Sequence, residues 1–269
     1  AAGRVAPPSD PPDPPLHEAK SAPIPSPGEG NPAGRSGCSP SSPGEGGWEG
    51  AGEEGRGDEG LGSDEAVDHL LLGVPDLEAG MKWFEEKTGI RPMAGGSHPG
   101  RGTRNALVSL GGRHYLEIIA PDPAQAGADN EMVAGLKKLT APRLITWAAA
   151  STDLEATISR LDAEKVAHSP VLPGSRKRPD GRELAWRTVA VQSDFGGLIP
   201  FFIDWGATAH PSADAPAGAR LLALTFRHPK PKALTAELAC LGIAAVVRQS
   251  TQTGLTARLE TPRGAVSLD

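Results

Sequence analysis

The stretch VDHLLLGVPDLEAGMKWFEEKTGI, residues 67–90, decides the fold because part of it returns later in the chain. Its motif DLEA at 76–79 recurs at 153–156, a spacing of 77 residues (153 − 76), within ITWAAASTDLEATISRLDAEKVA. In both stretches a short apolar run of strand length precedes the motif, and apolar residues at helical spacing follow it. Asp76 and Asp153 are good N-cap residues. The repeated motif therefore predicts the same strand-to-helix joint in two copies of one unit.

The segments after each predicted helix change to the period of a strand. Residues 104–110 and 113–119 are separated by Gly111-Gly112, which predicts a hairpin. Residues 183–191 and 198–205 follow the second helix, and turn-forming residues flank them. Each copy is therefore a strand, a helix and about three further strands.

The chain divides into two full modules and a weaker third. The βαβββ modules are expected at 66–123 and 142–206, and the segment ATAHPSADAPAG at 207–218 predicts a linker. A partial third module of the βαβ type follows at 219–269. Its predicted helix is 231–241, and its predicted strands are 221–226, 244–249, 255–260 and 265–268.

Residues 1–65 differ in composition from the rest of the chain. They contain 12 Pro and 14 Gly, with 12 acidic and 4 basic residues. A tract this poor in apolar residues cannot bury enough surface to offset the entropy lost on ordering. We therefore expect 1–65 to be a disordered acidic tail.

Charge and composition exclude several classes of protein. The whole chain carries −6 and the tail −8, so the remainder carries about +2 and gives no reason to expect nucleic-acid binding. No run approaches the roughly 18 apolar residues of a membrane span, and two cysteines are too few for a cysteine metal cluster. We expect a cytoplasmic protein that binds a small-molecule substrate or ligand, with a homodimer as one possible assembly. An organelle stays open because the chain begins with Ala rather than Met.

The repeated unit resembles the vicinal oxygen chelate superfamily, in which the first strand of a βαβββ module carries a histidine and the last a glutamate. The run HPGRGTRNALVSLGGRHYLEIIAPDP, together with PRLITWA, RPDG and PFFIDWG, resembles the glyoxalase-like domain group of that superfamily. The resemblance covers 66–269 and implies an α+β fold whose paired modules form a cupped mixed sheet around a pocket. It also implies metal ligands on the first and last strands of each module. The reaction is left open, because the superfamily includes isomerases, dioxygenases, lyases and non-catalytic binding proteins.

His69 and Glu117 are the main candidates for the site. Alternation along the first strand puts Leu70, Leu72 and Val74 on one face and His69 on the other, which would point into the cup. The resemblance places Glu117 beside it. An inward glutamate is costly to bury unless it is paired or bound to a cation, and an imidazole with a carboxylate suits a divalent Zn, Fe, Mn or Ni ion.

The second copy lacks the matching ligands. A shift of 77 residues puts Thr146 at the His69 position, and matching the last strands puts Phe202 near the Glu117 position. A catalytic metal usually needs at least three protein ligands, so a third would have to come from His98, His210 or Asp204. The alternative is that His69 and Glu117 hydrogen-bond each other, or act as an acid–base pair without metal.

Other polar and aromatic residues are candidates for substrate binding. The loop 98–103 and the basic turn 175–182 supply three of them, and an arginine there would suit an anionic substrate. The set comprises His98, Asn105, Arg143, Arg176, Arg178, Trp186 and Asp204.

Two functions follow from this pattern. The first is a glyoxalase-like enzyme, of the lyase, isomerase or dioxygenase type, acting on a small oxygen-rich anionic substrate. In it His69 and Glu117 serve as metal ligands or as an acid–base pair. The second is a non-catalytic small-molecule binding protein of the same fold, which the missing ligands of the second copy favour.

Overall fold

The structure is a computed structural model that describes residues 66–128, 130–178 and 180–269. The tail expected at 1–65 lies outside the described residues. The first module is a strand, a helix and three strands: β1 (Val67–Gly73), α1 (Leu77–Thr88), β2 (Met93–His98), β3 (Thr103–Ser109) and β4 (Tyr115–Pro121).

The second module repeats this order after the short helix α2 (Glu131–Lys137). Its elements are β5 (Arg143–Ala150), α3 (Leu154–Ala163), β6 (Leu172–Lys177), β7 (Glu183–Val189) and β8 (Phe201–Asp204). Both DLEA motifs begin a helix as predicted. The Asp76 side chain accepts from the backbone N–H of Ala79 at 2.8 Å, and that of Asp153 accepts from Ala156 at 2.9 Å. Each bond satisfies one of the amide donors left unpaired at a helix start.

The two modules share one eight-stranded sheet, in the order β2-β3-β4-β1-β5-β8-β7-β6. Within each module the first strand runs parallel to the last, and β1 and β5 join the modules as an antiparallel pair. The predicted hairpin at Gly111-Gly112 is confirmed, since β3 and β4 are antiparallel. The fold class is thus α+β, with paired βαβββ modules in one cupped mixed sheet.

The two outer strands of this sheet, β2 and β6, come close to each other and nearly close the cup. The Arg176 side chain on β6 donates to the backbone carbonyl of Gly95 on β2. A Cβ atom on Gly96, whose φ is 138°, would overlap the carbonyl oxygen of Lys177. Glycine is therefore required at this approach, where the backbones meet without room for a side chain.

The third module forms a separate four-stranded sheet. Its elements are β9 (Arg220–His228), α4 (Pro231–Cys240), β10 (Val247–Gln249), β11 (Gly254–Thr261) and β12 (Gly264–Leu268). The order of elements is again βαβββ, but the strand order is β10-β9-β11-β12. Here the first strand pairs with the second and third, whereas in the other modules it pairs with the last.

The main core lies between the outer face of the large sheet, the helices and the third module. Leu70, Leu72 and Val74 of β1 face this core, as alternation predicts. The ring centroids of Phe226 on β9 and Trp147 on β5 lie 5.8 Å apart, so the third module shares the same core. No helix in the described ranges has the length and apolar character needed to cross a membrane.

The inner face of the cup carries a second, smaller apolar cluster. It comprises Leu107, Tyr115, Ala148, Leu184, Ile203, Trp205 and Ala215, with Trp186 and Phe201 packed against it. This cluster surrounds the polar side chains described next.

Candidate functional site

The buried strand β1 supplies two polar residues to the inner face of the cup. His69 is 2% exposed and Asp68 is 3% exposed. Strict alternation would send adjacent residues to opposite faces. The pairing of β1 with β5 shifts in register between Val67 and His69, and such a bulge re-aims a side chain. Asp68 can therefore reach the ring of His69.

Asp68 is the most heavily bonded carboxylate of the site. Its Oδ1 lies 2.7 Å from Nδ1 of His69, and its Oδ2 lies 3.2 Å from Nε2 of His210. The indole Nε1–H of Trp205 also donates to it, at 3.2 Å and 3.3 Å to the two oxygens. A carboxylate with three such partners fixes the orientation of His69, because Nδ1 is held on Asp68 and Nε2 is turned into the cup.

Glu117 of β4 faces His69 from the neighbouring strand. Its Oε2 lies 3.5 Å from Nε2 of His69, and its Oε1 accepts from the Asn105 side-chain amide at 2.8 Å. The ring of His69 stacks on Tyr115, with centroids 4.4 Å apart. His69 and Glu117 thus share a face, as expected from the sequence.

The last residue of β2, His98, adds a second histidine to this cluster. Nε2 of His98 lies 3.2 Å from Nδ2 of Asn105 and 3.6 Å from Oε1 of Glu117. Its Nδ1 lies 2.8 Å from the Thr103 hydroxyl. Oδ1 of Asn105 is buried and has no hydrogen-bond partner among the described residues, so the Nδ2 end of this amide carries its contacts with the site.

The pKa values of the cluster are set by burial and by mutual pairing. Burial alone would lower the pKa of His69, but its bonds to Asp68 and Glu117 raise it to about 9. Burial alone would raise the pKa of Glu117, but His69, His98 and Asn105 lower it to about 2. The same competition leaves the pKa of Asp68 well below its usual range. The site therefore holds an imidazolium between two carboxylates at neutral pH.

His98 behaves differently from His69. Burial lowers its pKa, and the charge of Glu117 only partly opposes this. A neutral His98 beside a charged His69 gives the cluster two imidazoles in different protonation states.

The second module has no counterpart of the charged pair. Its strand-to-helix joint matches that of the first module at a shift of 77 residues, since the Val74 N–H bonds to the Ile119 carbonyl and the Ser151 N–H to the Ile203 carbonyl. Thr146 therefore corresponds to His69, as predicted. Leu71 pairs with Glu117, and its counterpart Ala148 (71 + 77) pairs with Phe201.

The predicted match of Phe202 to Glu117 is therefore wrong by one residue. Phe202 lies in the outer core, with the Arg160 guanidinium 5.9 Å from its ring centroid. Phe201 faces the cup and meets His69 edge-on, with centroids 5.7 Å apart. One step along a strand changes the face. The residue that corresponds to Glu117 is therefore Phe201, on the inner face of the sheet, and not Phe202, in the outer core.

A divalent metal fits this donor set poorly. The first module supplies an imidazole and a carboxylate, while Thr146 and Phe201 stand at the positions where the second would supply its ligands. Among the described residues, no group of three His, Cys, Asp or Glu side chains is arranged to hold a metal ion. A catalytic zinc usually has three protein ligands.

His210 lies in the segment 207–218, whose composition predicts a linker. It is buried, and it contacts Asp68 and the Ser212 hydroxyl. A short 3-10 helix at Pro211–Ala213 and the buried Ala215 pack this connection against the cup. The segment forms part of the wall of the site as well as joining two modules.

The remaining predicted residues divide by position. Arg176 is buried and feels the charge of Glu117, although burial lowers its pKa. Trp186 meets His98 edge-on at 6.3 Å. Arg178 forms an ion pair with Asp214, and Asp204 is bonded to Arg187 at 2.7 Å.

Arg143 is exposed at the start of β5, opposite Gly73. His69 pairs with Ala148 at the other end of the same two strands, so the structure does not bring Arg143 to the cluster.

One buried residue of the site, Asp68, was not among the sequence candidates. Asp68 carries a detectable signal, since an aspartate beside a histidine in an apolar strand must find a partner when buried. Arg101 lines the wall of a surface cavity and interacts electrostatically with Glu117. Trp205 also belongs to the site, since its indole N–H donates to Asp68.

Comparison with solved structures shows the same architecture elsewhere. A hypothetical protein from Staphylococcus aureus aligns with a TM-score of 0.54 at 14% identity, over 76% of this chain and 85% of that one. At that identity the likeness concerns the fold alone. No curated protein matches the chain significantly.

Two methylmalonyl-CoA epimerases align less well. The one from Mycobacterium tuberculosis gives a TM-score of 0.39 at 20% identity, over 52% of this chain and 87% of that one. A Streptomyces coelicolor variant in complex with 2-nitronate-propionyl-CoA gives 0.41 at 19% identity, over 54% and 100%. These scores are too low to bear on function.

The glyoxalase-like domain family matches residues 67–242, which contain both modules of the large sheet and the charged cluster on its inner face. This span is well over half of the chain. The protein therefore belongs to the glyoxalase-like domain family of the vicinal oxygen chelate superfamily.

Proposed function

We propose that the protein is a glyoxalase-like enzyme that moves a proton on a small, oxygen-rich, anionic substrate, with His69 and Glu117 as its acid–base pair. The observation that carries this proposal is the continuous buried line of Asp68, His69, Glu117 and Asn105, with contacts of 2.7, 3.5 and 2.8 Å. Perturbed ionisable groups of this kind concentrate at functional sites.

His69 is the acid of the pair. Asp68 holds Nδ1, so the Nε2–H is the group left to meet a substrate oxygen. A buried donor carrying positive charge stabilises negative charge that develops on a carbonyl oxygen as a neighbouring proton leaves. The stacked ring of Tyr115 and the apolar side chains around it keep the dielectric low and strengthen this interaction.

Glu117 is the base. Its low pKa makes it a weak base while His69 remains bonded to it. A substrate oxygen that takes the Nε2–H of His69 removes one cause of that low pKa, so substrate binding raises the basicity of Glu117. The carboxylate then accepts a proton from the carbon beside the carbonyl, and Asn105 keeps its Oε1 in place.

The pair acts in this proposal without a resident metal. Support comes from the second module, where Thr146 and Phe201 offer no ligands, and from Nδ1 of His69, which is engaged by Asp68. A bound metal would need a third side chain to enter the cluster, and His98 is already oriented by Thr103 and Asn105.

The test is turnover of a panel of 2-oxoaldehydes, 2-oxo acids and catechols by the full chain, His69→Asn and Glu117→Gln. We expect proton exchange or isomerisation of at least one oxo compound, reduced at least 100-fold in both variants, the usual scale for a general acid or base. Matched controls are His168→Asn and Glu78→Gln, which change a histidine and a glutamate outside the cup.

Metal content decides the second part of the proposal. Activity that survives exhaustive chelation and dialysis supports the metal-free pair. Activity that is lost on chelation and restored by Zn, Fe, Mn or Ni would overturn it in favour of ligation by His69 and Glu117.

A second candidate function is ligand binding without chemistry. The observation that favours it is that the charges of Asp68, His69 and Glu117 already satisfy one another. Under this alternative a panel compound protects the protein against heat, and the protection depends on Glu117, but no compound is turned over.

A further inference from the structure

A surface cavity of about 660 Å³ is lined by residues of β6, β7 and the end of β8 together with Pro99 and Arg101. Its walls include the indoles of Trp186 and Trp205, the rings of Pro99 and Pro173, the Ser175 side chain and the Arg101 guanidinium. Small-molecule sites typically have this volume and this mixture of apolar walls with a few polar groups. A three-carbon oxo compound would leave most of it empty.

Charge along the cavity wall is unevenly paired. Arg187 is held by Glu155 at 2.6 Å and by Asp204 at 2.7 Å, and Asp204 also accepts from the Gly206 amide. Arg101 has no ion-pair partner among the described residues, and its one side-chain hydrogen bond there is a long contact to the Pro173 carbonyl at 3.4 Å. A half-buried guanidinium without an ion-pair partner can bind the carboxylate of a ligand.

The two indoles connect this cavity with the charged cluster beneath it. Trp205 donates to Asp68, and Trp186 meets the ring of His98 edge-on. The indoles lie 5.4 Å apart, with a tilt of 51°. Gly174 leaves the space that the Trp186 ring occupies, since a Cβ there would overlap the indole. A molecule in the cavity therefore contacts two indoles that themselves contact Asp68 and His98 of the cluster.

We propose that this cavity binds an organic carboxylate with a planar or apolar body, the carboxylate on Arg101 and the body against Trp186 and Trp205. The inference deepens the proposed function and rests on it for the chemistry, because it assigns the substrate class as an aryl or alkyl oxo acid rather than a bare oxoaldehyde. Binding in the cavity is a separate property and is measured separately.

The probe is phenylacetate, compared with the neutral phenylacetamide of nearly equal shape. Titration calorimetry on the full chain should show binding of phenylacetate at millimolar concentrations or below, and weaker binding of the amide. Arg101→Gln should weaken phenylacetate roughly 10- to 100-fold, as expected for loss of a charged hydrogen bond, and leave the amide unchanged. The exposed Arg91→Gln is the matched control.

The apolar wall is tested by Trp186→Leu, which should weaken both probes by a similar factor. Absence of phenylacetate binding, equal affinity for the two probes, or an Arg101→Gln variant that binds as the wild type would each overturn the inference. His69→Asn and Glu117→Gln should retain phenylacetate binding. Loss of turnover with retained binding in those variants therefore separates the cavity from the acid–base pair.

Discussion

On the inner face of the cup, the first module sets His69 and Glu117 3.5 Å apart, whereas the second sets Thr146 and Phe201 at the matching positions. The two modules have the same order of strands and helix, and each helix has an aspartate N-cap at the corresponding position. The difference lies in side chains alone: one inner face is charged, and the other is mostly apolar and aromatic.

This asymmetry gives the two inner faces different roles. Aromatic walls exclude water and lower the local dielectric, which strengthens the charge interactions of the facing module. In the proposed function, the second module therefore supports the acid–base pair of the first module without ligands of its own. Substitutions on the two inner faces should therefore differ in their effect on stability, with the largest loss at Glu117 and the smallest at Phe201.

Loss of Glu117 should have the largest effect on stability. Glu117→Ala leaves the His69 imidazolium, the Asn105 amide and His98 facing an empty space, and breaking a buried pair by removing one partner costs about 3–5 kcal/mol. The free energy of unfolding in urea measures this. Glu78→Ala removes an exposed carboxylate paired with Arg104 and should cost about 0–1 kcal/mol. Equal losses in the two variants would contradict the asymmetry.

The raised pKa of His69 should make stability depend on pH. The folded value of about 9 exceeds the ordinary 6.5, so this contribution is complete below about pH 6.5 and is lost as the pH rises through 9. The loss should reach at most about 3 kcal/mol. Urea unfolding from pH 5 to 10 gives the curve.

The same curve in two histidine variants assigns it. His69→Asn should flatten the fall between pH 6.5 and 9, whereas His168→Asn should retain it. A fall that persists in His69→Asn would show that another group causes it.

Removal of His210 should have an intermediate effect. Asp68 keeps His69 and Trp205 but loses one donor, and an under-bonded buried carboxylate costs about 1–3 kcal/mol. Thr208→Ala changes the same connection without touching Asp68 and should stay within about 0.5 kcal/mol of the wild type. If His210→Ala were as mild as Thr208→Ala, the connection would be only a linker.

The smallest effect is expected at Phe201, the counterpart of Glu117. Phe201→Leu exchanges one apolar side chain for another of roughly similar size, and such changes usually cost less than about 1.5 kcal/mol. Its free energy of unfolding should therefore lie well above that of Glu117→Ala. A loss as large as at Glu117 would mean that the ring itself holds His69 in place.

The repeated fold was predictable because its signals are local. Helix caps, the glycine hairpin and the alternation in β1 each depend on neighbouring residues, and the alternation puts His69 on the inner face. The resemblance to the superfamily placed Glu117 beside it. Asp68 escaped because the bulge at Val67 and His69 breaks the period of two, and a bulge depends on pairing with β5. The off-by-one match at Phe202 arose because sequence gives the order of residues in β8 but not its register.

The packing of the segment around His210 was not predicted, for a different reason. Composition reports whether a segment can form its own core, and ATAHPSADAPAG cannot. It does not report whether the segment packs on a core that others provide, as His210, Ser212 and Ala215 do. The strand order of the third module has the same origin, since pairing of the three-residue β10 with β9 is decided in three dimensions.

The approach of β2 to β6 has a consequence for how this protein family could diversify. In a closed barrel the width is fixed by strand number and stagger, so changing the interior means rebuilding the hydrogen-bond ladder. Here the sheet is nearly closed along a seam between β2 and β6. The Arg176 guanidinium bonds across this seam, and glycines at 95 and 96 allow the close approach of the two strands. A few substitutions along the seam could widen or narrow the interior while every strand keeps its neighbours. The size of substrate that the site accepts could then change during evolution through a series of sequences that all keep the fold.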